Sequence, residues 1–154
     1  MIRKKILFVE DDEPKLEQVL ALLETFTEIE VIVAKSLNGA CKCIDREDYD
    51  LVLLDMSLPT FDNGMTVGAS GRQKTFGGRE ILMYLWENEK DLPVLVLTQF
   101  KDFPGDEGPV NLPQLHAQLK KDFPGLYRDH IYFEHNNDAW KTTLTNLLCG
   151  IMTC

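Results

Sequence analysis

The chain has 154 residues, the length of one domain, and is able to bury a core without disulfide support. Sixteen Lys and Arg against twenty-five Asp and Glu leave a formal net charge of −9, which repels phosphate backbones and sets a nucleic-acid-binding surface aside. At 44% apolar and 27% charged the composition is that of a folded protein. No uncharged apolar run approaches the roughly 18 residues of a membrane span, and the run Ile6 to Val9 is too short for a secretory leader, so a cytoplasmic location away from membranes is expected.

In chain order, KILFV (5–9) reads as a first strand and runs straight into three acids, Glu10, Asp11 and Asp12. A helix follows with Leu16, Val19, Leu20 and Leu23 on one face, Asp12 or Glu13 to cap it and Pro14 in its first turn. EVIVA (30–34) is a second strand, and a second helix after Ser36 turns Ala40 and Ile44 inward. DLVLLD (50–55) is a third strand, followed by a long connection to Gly77-Gly78 and a helix with Ile81, Leu82, Leu85 and Trp86 toward the core. LPVLVLT (92–98) is the fourth strand, and QFKDFPGDEGPVN leads to a weaker helix with Leu112, Leu115 and Leu119. HIYFE (130–134) is the fifth strand, and a last helix from about Asp138 carries Trp140, Leu144, Leu147, Leu148 and Ile151.

Near-continuous apolar strands alternating with amphipathic helices call for a parallel sheet covered on both faces. The expectation is one α/β domain over residues 1–154, a flavodoxin-like (βα)5 doubly wound five-stranded sheet with long third-strand and fourth-strand loops (59–76 and 99–111). Ligands of such sheets gather beyond the carboxyl ends of the strands. Glu10, Asp11, Asp55 and Thr98 stand there. Acids packed this closely repel one another unless a cation holds them, and Mg2+ suits a few carboxylates with retained water. The four cysteines show no metal or redox spacing, nor do His116, His130 and His135.

With ILFVEDDEP, YDLVLLDMSLP, GGREIL and LPVLVLT in place, the chain resembles a response-regulator receiver domain of two-component signalling over residues 2 to 98. The resemblance implies a signalling domain and not an enzyme in the ordinary sense, with Asp55 as phosphoacceptor, Asp11 a direct Mg2+ ligand, Glu10 a ligand through water and Ser57 offering its backbone carbonyl. It implies Thr98 as the hydroxyl on a phosphoryl oxygen, a histidine kinase or phosphotransfer protein as donor, and a downstream protein or a second copy as the recipient of the signal.

The sequence departs from the family at the end of strand five, where a lysine is usual and HIYFEHNND stands instead. Phe133, Glu134 or His135 falls at that place according to how the strand is counted, and Lys101 is the nearest substitute along the chain. Two readings therefore stand side by side: a phosphorylation-dependent switch, and a receiver-like interaction module that works without phosphorylation. An aspartate-nucleophile phosphatase fits badly, because DMSLPT has no second acid two residues after Asp55.

Overall fold

A computed structural model describes residues 3–61, 77–105 and 107–152. Five strands, β1 (Lys4–Val9), β2 (Ile29–Ala34), β3 (Leu51–Leu54), β4 (Val94–Thr98) and, after a short hairpin of β5 (Asp102–Phe103) and β6 (Val110–Asn111), β7 (Tyr127–Tyr132), build the structure with helices α1 (Glu13–Leu23), α2 (Leu37–Arg46), α3 (Gly77–Glu87), α4 (Leu112–Asp122) and α5 (Ala139–Met152). The main sheet runs β2-β1-β3-β4-β7 and is parallel throughout. This is the doubly wound, flavodoxin-like order expected.

Alternation along each strand sorts the core into two halves. Leu7, Val9, Val52, Leu54, Val94 and Val96 face α2, α3 and α4. Ile6, Phe8, Leu51, Leu53, Leu95 and Leu97 face α1 and α5. The inner strands are therefore apolar on both faces where they cross the core, from Ile6 to Val9 in β1, throughout β3 and from Val94 to Leu97 in β4, as burial on both faces requires.

Local chemistry sets the helix starts. Asp12 caps α1 by accepting from Lys15 N at 3.2 Å, Ser36 caps α2 by accepting from Gly39 N at 3.0 Å, and Asn111 and Gln114 form a reciprocal capping box on α4. The expected inward faces hold with one exception. Trp86 is 45% exposed and meets Phe123 edge-on at 6.1 Å, because the preceding turn of α3 already buries Ile81, Leu82 and Leu85.

One connection and one strand differ from the sequence expectation. The 99–111 segment folds into the β5–β6 hairpin, with Phe103 buried, Val110 packed against the core beside Leu112, and Phe100 at the surface. The fifth strand of the sheet starts three residues earlier than expected and ends at Tyr132, because its mixed polar pattern YRDHIY belongs to an edge strand with a bulge. Most of the long loop expected at 59–76 lies outside the described residues. No described helix is long and apolar enough to cross a membrane.

Candidate functional site

Five polar or charged side chains are buried among the described residues: Glu10, Lys15, Ser36, Asp55 and Thr98. Four of them meet at the carboxyl end of the sheet. Pairing of Val9 with Leu54 and of Leu54 with Val96 sets the ends of β1, β3 and β4 side by side. Strand parity then aims the side chains: Phe8 and Leu53 face α1, so Glu10 and Asp55, two residues on, turn the same way. Carboxylate oxygens of Glu10, Asp11 and Asp55 all lie within 4.8 Å of one another.

The first turn of α1 closes over this cluster with a cation. Lys15 is fully buried, and its Nζ lies 2.6 Å from Glu10 Oε1, 2.7 Å from the Leu97 carbonyl oxygen and 3.5 Å from Asp55 Oδ2. Three acceptors face the three ammonium protons. Glu10 Oε2 accepts from the backbone N–H of Asp12 at 3.1 Å, and the N–H of Ser57 is directed at Asp55 Oδ1 at 3.4 Å. Thr98 accepts from the N–H of Phe100 at 3.2 Å through its hydroxyl oxygen, which leaves the hydroxyl proton to donate.

Burial dominates the electrostatics. Loss of solvent pushes the Glu10 carboxyl up to about 7, against the opposing pull of Lys15. Asp55 is likewise raised by burial, with Lys15 opposing. Three carboxylates and one ammonium leave a formal charge of −2, which one divalent cation cancels. An all-oxygen, mostly buried donor set of this charge fits Mg2+.

The loop after Asp55 is held by α3. A Cβ on Gly78 would stand 2.5 Å from the Asp55 carbonyl oxygen and 2.7 Å from Met56 Cα, so only glycine lets the helix start this close. Gly78 N donates to the Met56 carbonyl at 3.1 Å, anchoring the turn that carries Ser57.

Residues 6–107 match the model of the response regulator receiver domain family. The chain is a response regulator receiver domain. Its curated relatives include the Detocs response regulatory protein DtcB of Vibrio alginolyticus, 28% identical over 88% of this chain and 93% of the relative. DtcB of Enterobacter cloacae strain JD6301 is 21% identical over 90% and 94%. Among solved structures, the receiver domain of sensor histidine kinase PA1611 from Pseudomonas aeruginosa PAO1, which holds a magnesium ion in its active-site cleft, superimposes with a TM-score of 0.62 at 18% identity over 99% of each chain. Receiver domains are signalling domains that interact with histidine kinases or phosphotransfer proteins.

Against the family pattern, the end of the fifth sheet strand contributes no lysine. Phe133 continues the β4–β7 ladder by donating its N–H to the Thr98 carbonyl at 2.8 Å, and its buried ring lies 5.9 Å from Lys15 Nζ. Glu134 and His135 are exposed, and His135 Nδ1 meets Gln18 Nε2 at 3.1 Å. Lys101 is exposed, with its Nζ 5.2 Å from the Tyr132 ring centre. The cation of this receiver's site comes instead from α1. The sequence signal was present but unread: Lys15, Val19 and Leu23 recur at four-residue spacing and are buried together, so the lysine belongs to the inward row of the helix.

Proposed function

We propose that Asp55 accepts a phosphoryl group from a histidine kinase or phosphotransfer protein and that Lys15, Asp11, Glu10, Ser57 and Thr98 support the transfer. The observation that carries this reading is a buried ammonium within reach of Asp55 Oδ2 in a cluster of three carboxylates. An oxygen of the Asp55 carboxylate attacks phosphorus, the phosphorus–nitrogen bond of the donor imidazole breaks, and the imidazole leaves with its electron pair and takes a proton. The group that arrives brings a charge of about −1.5 to −2. The ammonium of Lys15 opposes that charge in the cleft, and the Thr98 hydroxyl donates to a phosphoryl oxygen. Glu10, Asp11, Asp55 and the Ser57 carbonyl would hold Mg2+, which supplies the remaining positive charge over the equatorial oxygens.

The arrangement also supports a second reading. Lys15 already bridges Glu10 and Asp55, so an internal counterion could keep the domain in one state as an interaction module without phosphorylation. Incubation with an acyl phosphate and Mg2+, followed by intact mass, separates the two. The switch requires a phosphorylated product in the wild type and none in Asp55→Asn; no phosphoryl adduct on either protein selects the module.

A further inference from the structure

A second cluster, on the side of the sheet that α4 covers, lies apart from the phosphoacceptor in every residue. His116 of α4 and His130 of β7 place their Nδ1 atoms 3.1 Å apart, and Asp129 Oδ1 lies 3.8 Å from the first and 3.5 Å from the second. A bulge in β7 makes this meeting possible. Val94 pairs with Tyr127 and Leu95 with Asp129, so Arg128 is an extra residue in the ladder. Tyr127 consequently packs in the core half under α4, whereas Ile131, four residues on, packs in the opposite half. Without the extra residue the two would share a face, and Tyr127 and His130 could not both turn toward α4.

Hydrogen bonding alone does not account for the geometry. His116 Nδ1 meets both His130 Nδ1 at 3.1 Å and the Tyr127 hydroxyl at 2.8 Å. An imidazole nitrogen offers one proton or one lone pair and can satisfy one of them. A cation bound by both nitrogens accounts for their close approach. The point equidistant from His116 Nδ1, His130 Nδ1 and Asp129 Oδ1 lies about 2.0 Å from each, within the roughly 2.0–2.2 Å of Zn–N and Zn–O bonds.

We propose that His116, Asp129 and His130 form a Zn2+ site with the fourth position open to water or to the Tyr127 hydroxyl. Two imidazoles and one carboxylate select a transition-metal ion, whereas the all-oxygen cluster around Asp55 suits Mg2+, so the two sites sort their ions by donor chemistry. The three side chains are 27–42% exposed, which gives the ion a path from solvent. Bound there, Zn2+ ties α4 to the edge strand β7.

The test is Zn2+ titration of the full chain by calorimetry in excess Mg2+, with His130→Gln and Asp129→Asn alongside and folding checked by circular dichroism. Wild type binds one Zn2+ per chain at this site. Each variant weakens binding by more than the roughly 10–100-fold that loss of a hydrogen-bond partner behind a ligand costs. Asp55→Asn, altered only in the other cluster, binds as wild type does. Long-range proton–nitrogen NMR gives the second readout: Zn2+ shifts the Nδ1 resonances of His116 and His130 and leaves their Nε2 atoms protonated. Zn2+ binding that survives both substitutions, or that leaves these two nitrogens unshifted, overturns the proposal.

Discussion

Lys15 shows how one side chain is held by several opposing effects. An ammonium taken out of water is costly, and it persists here because Glu10, Asp55 and the Leu97 carbonyl face its three protons. Lys15→Met removes that compensation and leaves buried carboxylates with no internal counterion. Urea unfolding without divalent ions is expected to show a loss of about 3–5 kcal/mol at neutral pH, as for other broken buried pairs, and added Mg2+ is expected to recover part of it. Glu10 provides a pH test of the same cluster. Its folded carboxyl titrates near 7, above the ordinary 4.5, so the folded state holds the proton more tightly than the unfolded chain. The sign follows: Glu10 favours the metal-free fold below about 4.5, and that contribution is lost as pH rises through about 7. Mg2+ needs the ionised form, so its affinity should weaken as pH falls from 8 to 6. Calorimetric titration at both values checks this, and Glu10→Gln should flatten the trend.

At the level of elements, the strand ends and the helix starts position the chemistry, and they differed in how legible they were. β1, β3 and β4 were readable to within two residues because their buried stretches are apolar on both faces. Parity then aims Glu10 and Asp55 at α1, a consequence available from IleLeuPheVal-type alternation once the opposite face is assigned. β7 was misplaced because an edge strand with an extra residue breaks that regularity, and the bulge at Arg128 leaves no mark in the sequence. The meeting of His116 with His130 was unreadable for the same reason: they are fourteen residues apart on different elements. The Gly77-Gly78 pair marked a helix start, but its reason is a close approach visible only in three dimensions. Gly78→Ala would press a methyl into the Asp55 turn, with an expected cost of about 1–3 kcal/mol in thermal or urea unfolding and a slower phosphorylation of Asp55. In the β5–β6 hairpin, Phe103→Ala should cost about 3–5 kcal/mol because the ring is buried among core residues. Phe100→Ala, on the exposed side, should stay within about 0.5 kcal/mol. Equal effects of the two would mean that the hairpin packs differently from the arrangement described.

Across the whole molecule, the sheet gathers Asp55 and the other acids at its carboxyl end, and α1 supplies the cation that faces them. Parallel strands bring Glu10, Asp11, Asp55 and Thr98 to one end, and α1 then delivers Lys15 to the face that the fifth sheet strand fills with Phe133. An ammonium at this place serves a phosphoryl group whichever element carries it, since the requirement is a charge near the oxygens and not a position in the chain. Lys15 is proposed to bind the phosphoryl group directly. Beryllofluoride, a non-covalent stand-in for that group on a carboxylate, tests it without depending on turnover. In saturating Mg2+, followed by fluorine NMR, wild type is expected to bind it and Asp55→Asn to fail. Lys15→Met should bind it roughly 10–150-fold more weakly, the equivalent of one charge-assisted hydrogen bond of about 1.5–3 kcal/mol, while binding Mg2+ at least as tightly as wild type. Beryllofluoride binding in Lys15→Met equal to that of wild type would exclude Lys15 as the ligand of the phosphoryl group.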